Sequence, residues 1–222
     1  FSDLKPAIPL DYQVALISKL GVPFKSPQPI IHVSDAWRKS AHDLLISKKI
    51  NPEKPYCIIH PGTRKYDQWQ FEKFAKIAEY FFTHFNLGII LTCGPGEFDQ
   101  VEKLTQCLSK KVPYTFISTE LSVLLGITAS AKFVVCHNGG YMHATSAIGV
   151  PVVALFGLTD YRIWKPLGEK SVVLHKDIDC WPCTSKTMKQ VCWDGKPECK
   201  ELISTEDVVN SIKKLCPEFM GK

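Results

Sequence analysis

Four short segments of this 222-residue chain place polar and glycine residues directly after apolar runs. They are His60-Pro61-Gly62-Thr63-Arg64-Lys65, Cys93-Gly94-Pro95-Gly96-Glu97, Ser118-Thr119, and Asn138-Gly139-Gly140 with His143 three residues on. These residue types suit an anionic ligand. Gly62-Thr63-Arg64-Lys65 offers a hydroxyl and two cations, a natural cradle for a diphosphate. Glu97 can accept hydrogen bonds from ribose hydroxyls. Asn138-Gly139-Gly140 lies between the β-branched run Phe133-Val134-Val135 and the small-residue segment 144–148, the pattern of a strand, a glycine turn and a helix start. Such a turn leaves backbone N–H groups free and removes side-chain bulk, so a phosphate can approach. Each segment also has a plainer reading: a solvated turn, a carboxylate favoured by a helix dipole, a histidine exposed on a helix.

The surrounding pattern says what must hold these segments. Two helices are expected at 11–20 and 35–48, separated by a proline-containing stretch. From Pro55 onward strands at 56–60, 89–93, 114–117, 133–135, 152–156 and 171–174 alternate with helices at 70–84, 97–108, 121–129 and from His143. Phe71, Phe74, Ala78 and Phe81 share one face of the 70–84 helix. Ser204-Thr205-Glu206-Asp207 has the form of a capping box before a last helix at 208–215. This alternation predicts an α/β fold, a Rossmann-like parallel sheet with helices on both faces. Ligands of such sheets bind beyond the carboxyl ends of the strands, so all four segments converge on one edge.

Composition narrows the class. Apolar residues at 45% and charged residues at 22% describe an ordinary globular chain. No run approaches the roughly 18 apolar residues that a membrane span needs. FSDLKPAIPL lacks the basic and apolar regions of a signal peptide, and a start at Phe1 reads as a fragment or processed chain. The net charge of +5 is spread along the sequence. It suits an acidic ligand or an anionic membrane surface, and no dense basic stripe points to nucleic acid.

The nine cysteines fall into groups. Cys57, Cys93 and Cys136 lie in expected buried strands, which together with the odd total favours a reducing cytoplasm over a disulfide framework. Cys180, Cys183, Cys192 and Cys199 share a polar loop with the spacing C-x2-C, eight residues, C-x6-C. Four thiolates can hold structural zinc, but a six-residue gap exceeds the usual two to four. A reduced packed loop or one or two disulfides are the alternatives.

Together these motifs resemble the ADP-heptose:lipopolysaccharide heptosyltransferases, glycosyltransferase family nine. Gly140, His143 and the segment 151–159 match the family's D-[ST]-G-x-x-H-x-A-x-A signature and the FGxT strand after it. Gly62, Thr63 and Trp69 match a G-[AT]-x-x-x-x-K-x-W turn, and Gly94 and Glu97 a glycine-rich turn before an acidic residue. Cys180, Pro182, Cys183, Cys192 and Cys199 match a C-x-P-C loop with two later cysteines. Asp67 stands where the family has lysine, and Asn138 where it has aspartate.

The resemblance implies the C-terminal, donor-binding half of a two-domain GT-B glycosyltransferase. Residues 1–52 would be inter-domain helices, and 53–222 the Rossmann-like nucleotide-sugar domain with its cysteine-rich loop at 180–199. It implies inverting transfer of heptose from ADP-heptose to the lipopolysaccharide inner core, without cofactor or metal. The work would be done in the cytoplasm, with transient contact at the inner face of the bacterial inner membrane. Thr63, Arg64 and Lys65 would meet the diphosphate, Glu97 the ribose and Thr119 the adenine pocket. Asn138, Gly139, Gly140 and His143 would surround the sugar and phosphates. The catalytic base would belong to the N-terminal acceptor domain. A non-catalytic nucleotide-sugar-binding module, or a transferase for another nucleotide sugar, are the alternatives.

Overall fold

The computed structural model describes residues 9–22, 28–181, 183 and 189–220. Six strands form one sheet: β1 Tyr56–His60, β2 Gly88–Thr92, β3 Tyr114–Ile117, β4 Val134–His137, β5 Val152–Leu155 and β6 Ser171–Leu174. All neighbours are parallel, in the order β3-β2-β1-β4-β5-β6. Among the described residues the helices are α1 Pro9–Lys19, α2 Asp35–Ser47, α3 Phe71–Phe85, α4 Phe98–Cys107, α5 Leu121–Thr128, α6 Gly140–Ile148, α7 Tyr161–Trp164, α8 Gln190–Trp193, α9 Glu198–Glu201 and α10 Thr205–Leu215. The expected strands and long helices are present, with ends shifted by up to three residues. Sequence periodicity does not reveal α7, α8 and α9, or the 3-10 turns Lys65–Asp67 and Pro217–Phe219. One turn of helix is too short to show a period.

Strand side chains alternate between two cores. Cys57, Ile59, Leu91, Val135 and Val153 pack with Phe74, Ile77 and Phe81 of α3, Leu104 of α4 and Val208 and Ile212 of α10. Tyr56, Ile58, Val134, Cys136 and Ala154 pack with Ala41 and Leu45 of α2, Ile127 of α5 and Met142 of α6. Burial on both faces is why the central strands β1, β4 and β5 read as nearly continuous apolar runs. It also places α2, expected in the inter-domain segment, in the second core against α5.

Caps fix the helix ends. Ser204 Oγ accepts from Asp207 N at 3.0 Å, and Asp207 Oδ2 accepts from Ser204 N at 2.9 Å, the reciprocal box expected there. Trp69 is fully buried, donates its indole N–H to Ile203 O at 3.0 Å and meets Phe74 edge-on. It packs against the start of α3.

All nine cysteines are free. Burial pushes the Cys183 thiol up to about 11 and the Cys199 thiol up to about 12, so both are protonated at neutral pH. Among the described residues no three His, Cys, Asp or Glu side chains are placed to hold a metal ion. Pro182 lies outside the described residues.

Candidate functional site

The strand order reverses between β1 and β4, and a cavity of about 840 Å³ opens there beyond the carboxyl ends of β3, β2, β1 and β4. All four motif segments contribute to its wall. Thr63, Arg64, Glu97, Thr119, Asn138, Gly139 and Gly140 line it, together with His60, Glu120, Leu124 and Tyr141. Pro95, Leu121 and Leu124 make one end apolar, beside β2, β3 and α5. Arg64 and the glycine turn make the other end a place for negative charge. No side chain caps the N-terminus of α6, so its first-turn N–H groups remain available to an anion.

Glu97 forms the N-cap of α4, and its carboxylate turns back over the first glycine turn. Oε2 accepts from Gly94 N at 2.7 Å and lies 3.6 Å from His60 Nε2. It also occupies the space that a side chain at Gly62 would need. A side chain at Gly62 would therefore displace the Glu97 carboxylate from its seat.

A second cavity, of about 450 Å³, adjoins the first and shares Arg64, Asn138, Gly139 and Gly140 with it. Met142, His143, Thr159 and Trp164 complete its lining. Asn138 Nδ2 donates to Thr159 Oγ1 at 2.8 Å, while Asn138 Oδ1 is buried without a partner. The wall around His143 desolvates its imidazole and lowers its pKa, so the ring is neutral at pH 7. It can donate or accept there, without adding charge. The two chambers suit an elongated ligand: a flat apolar group, an anionic middle and a polar end.

Residues 6–194 match the profile of glycosyltransferase family 9 (heptosyltransferase). The chain belongs to glycosyltransferase family 9. It is 24% identical to lipopolysaccharide heptosyltransferase 3 of Escherichia coli over 215 residues, 94% of this chain and 60% of the relative. The fold superposes on a family 9 glycosyltransferase from Veillonella parvula with TM-score 0.78, at 22% identity, covering 95% of this chain and 60% of that one. It superposes on E. coli ADP-heptose lipopolysaccharide heptosyltransferase II with TM-score 0.74, at 17% identity, covering 90% and 56%. The chain thus spans somewhat more than half the length of these relatives.

Two expectations drawn from the family motif change. Lys65 does not line either cavity; it faces a groove with Gln68, Asp194 and Gly195. The reason is local. Arg64 is the extended N-cap of the 3-10 turn 65–67, so the chain changes direction between Arg64 and Lys65 and their side chains leave it toward different grooves. Asp67, standing where family 9 has lysine, is fully buried rather than turned toward phosphate. Its Oδ1 lies 3.5 Å from the ammonium of Lys200, which is also fully buried. The departure therefore puts no carboxylate in the cavity wall.

Gln100 is a site residue that the motifs do not point to. Its Oε1 accepts from Thr63 N at 3.0 Å and its Nε2 donates to Thr63 O at 2.8 Å. This pair of bonds holds the Thr63 turn and occupies its N–H, leaving the hydroxyl for a ligand. The one available signal in the sequence is its place one turn after Glu97.

His60, expected to pack or to support the site from behind, lines the first cavity and faces Glu97. Burial lowers its pKa from 6.5 to about 4, outweighing the nearby carboxylate. His137, wholly buried and accepting from Trp69 N at 3.0 Å, is lowered by burial and by Lys200. Above pH 6.5 these imidazoles are neutral folded and unfolded. As pH falls from 6.5 toward 4 the unfolded chain binds protons that the folded one refuses, and stability is lost. His60 accounts for about 3 kcal/mol of that loss. His60→Gln is expected to have a shallower fall in unfolding free energy between pH 7 and 4.5; an unchanged slope would refute this.

Proposed function

We propose that this chain is the nucleotide-sugar donor domain of a heptosyltransferase acting on the lipopolysaccharide inner core, with ADP-heptose as donor. The observation that carries it is the pair of adjoining cavities sharing Arg64, Asn138, Gly139 and Gly140. Adenine would occupy the apolar end at Thr119 and Leu124, and the ribose would reach Glu97. The diphosphate would lie between Arg64, the Thr63 hydroxyl and the α6 N-terminus, and the heptose in the chamber of His143 and Thr159. Family membership and the names of the relatives support this assignment.

In the inverting reaction an acceptor hydroxyl attacks the anomeric carbon from the face opposite the diphosphate. The bond from that carbon to the diphosphate oxygen breaks, and ADP leaves with the electron pair. The acceptor proton passes to a base, which we assign to the acceptor domain of the whole enzyme. This chain's part is electrostatic: Arg64 and helix N–H groups stabilise charge growing on the leaving diphosphate. Among the described residues no helix is long and apolar enough to cross a membrane, and the acceptor would be met at the inner face of the inner membrane.

Calorimetry on the two-domain protein tests the assignment. ADP and ADP-heptose are expected to bind, and no binding at millimolar ligand would sink it. Glu97→Ala and His143→Ala should each weaken ADP-heptose binding by about tenfold, the loss of one or two polar contacts. Unchanged affinity in both would remove those two assignments.

A further inference from the structure

The Asp67–Lys200 pair lies outside both cavities, yet it joins the two loops that frame the second one. Asp67 N donates to Arg64 O at 2.8 Å, closing the turn that carries Arg64. Asp67 Oδ1 accepts from Leu158 N at 3.3 Å. The next residue, Thr159, accepts from Asn138 Nδ2 at 2.8 Å. Lys200 is held from the other side, donating to Leu155 O at the end of β5 at 2.6 Å. A Cβ on Gly157 would collide with both Asp67 Oδ1 and the Lys200 side chain, so a glycine is needed where the loop passes over the pair. Asp67 Oδ2 is buried without a partner, so the carboxylate's grip on this loop rests on Oδ1.

We infer that Asp67 is a positioning residue that sets the spacing between Arg64 and Asn138 across the donor cavity, by holding Leu158 N, with Lys200 as its buried counter-ion. A carboxylate suits the task because it can accept from a backbone N–H and an ammonium at once. Lys200 stands immediately before the last residue of α9, so the same contact ties the end of the cysteine-rich segment to the donor loop. This role presupposes the nucleotide-sugar function proposed for the site, but its first readout needs no ligand.

Two neutral double variants of the full-length protein separate positioning from mere packing. Asp67→Asn with Lys200→Met keeps an acceptor for Leu158 N, and Asp67→Ala with Lys200→Met removes it. Amide hydrogen exchange without ligand is expected to be at least tenfold faster at Leu158 and Thr159 in the alanine double than in the asparagine double. ADP binding should be roughly tenfold weaker in the alanine double and near wild type in the asparagine double. If the two doubles match in exchange and affinity, the positioning role is overturned. If the alanine double fails to fold, wild type still decides: a Leu158 amide no better protected than a solvent-exposed one overturns the role. If wild type binds no ADP but the exchange contrast holds, the donor assignment fails and the positioning link stands.

Discussion

Lys200→Met is expected to cost about 3–5 kcal/mol of stability, a large share of what holds a domain folded. Methionine fills most of the lysine's volume, so the loss reflects charge and not a cavity. Lys200 and Asp67 are both fully buried, and removing the ammonium strands a carboxylate without water or counter-ion. Burial already lowers the Lys200 pKa, and the Asp67 carboxylate is what opposes that shift. Adding Asp67→Asn to the same protein should return most of the stability, because a buried pair replaced as a whole is far less costly than one that is broken. Denaturant unfolding of both single variants and the double measures this directly. A Lys200→Met protein with the wild-type midpoint would show that the pair is not formed.

The second large effect concerns the ligand and not the fold. Gly62→Ala should weaken ADP binding by roughly tenfold to a hundredfold, the 1.5–3 kcal/mol of a lost charged hydrogen bond. The new methyl would occupy the place of Glu97 Oε2. Glu97 is the end of a flexible side chain, so it can swing away, but only by leaving Gly94 N and entering the cavity. Stability should therefore change little while affinity falls. Calorimetry with ADP beside a thermal melt distinguishes the two. Equal affinity in wild type and Gly62→Ala would mean that the Glu97 seat does not matter to the ligand.

Much of this is legible in the residues. Strands at 56–60, 114–117 and 171–174 carry the bounds their sequence patterns suggest: β1 is buried along its whole length and so continuously apolar, while the half-buried edge strands β3 and β6 are set off by the proline, polar and charged residues that flank them. Glycine and proline mark where strands end, and the ends form the cavity wall. What is not legible depends on rotation within a single turn. From spacing alone, Thr63, Arg64, Lys65 and Asp67 form one polar run. The extended Arg64 faces the cavity, and the 3-10 turn that follows sends Lys65 to a different groove and Asp67 into the interior.

Long-range partners are equally out of reach. Nothing near Asp67 announces Lys200, which is 133 residues away in sequence by the difference of their numbers. Nothing near Thr63 announces Gln100 as the side chain that holds it. Local sequence determined the element types, the sheet edge on which the motifs meet and the family that the chain resembles, because periodicity, turn chemistry and glycine placement act over a few residues. Tertiary structure alone decided which charges face the ligand and which neutralise one another in the core. That choice is made by burial, and burial depends on what the rest of the chain brings alongside.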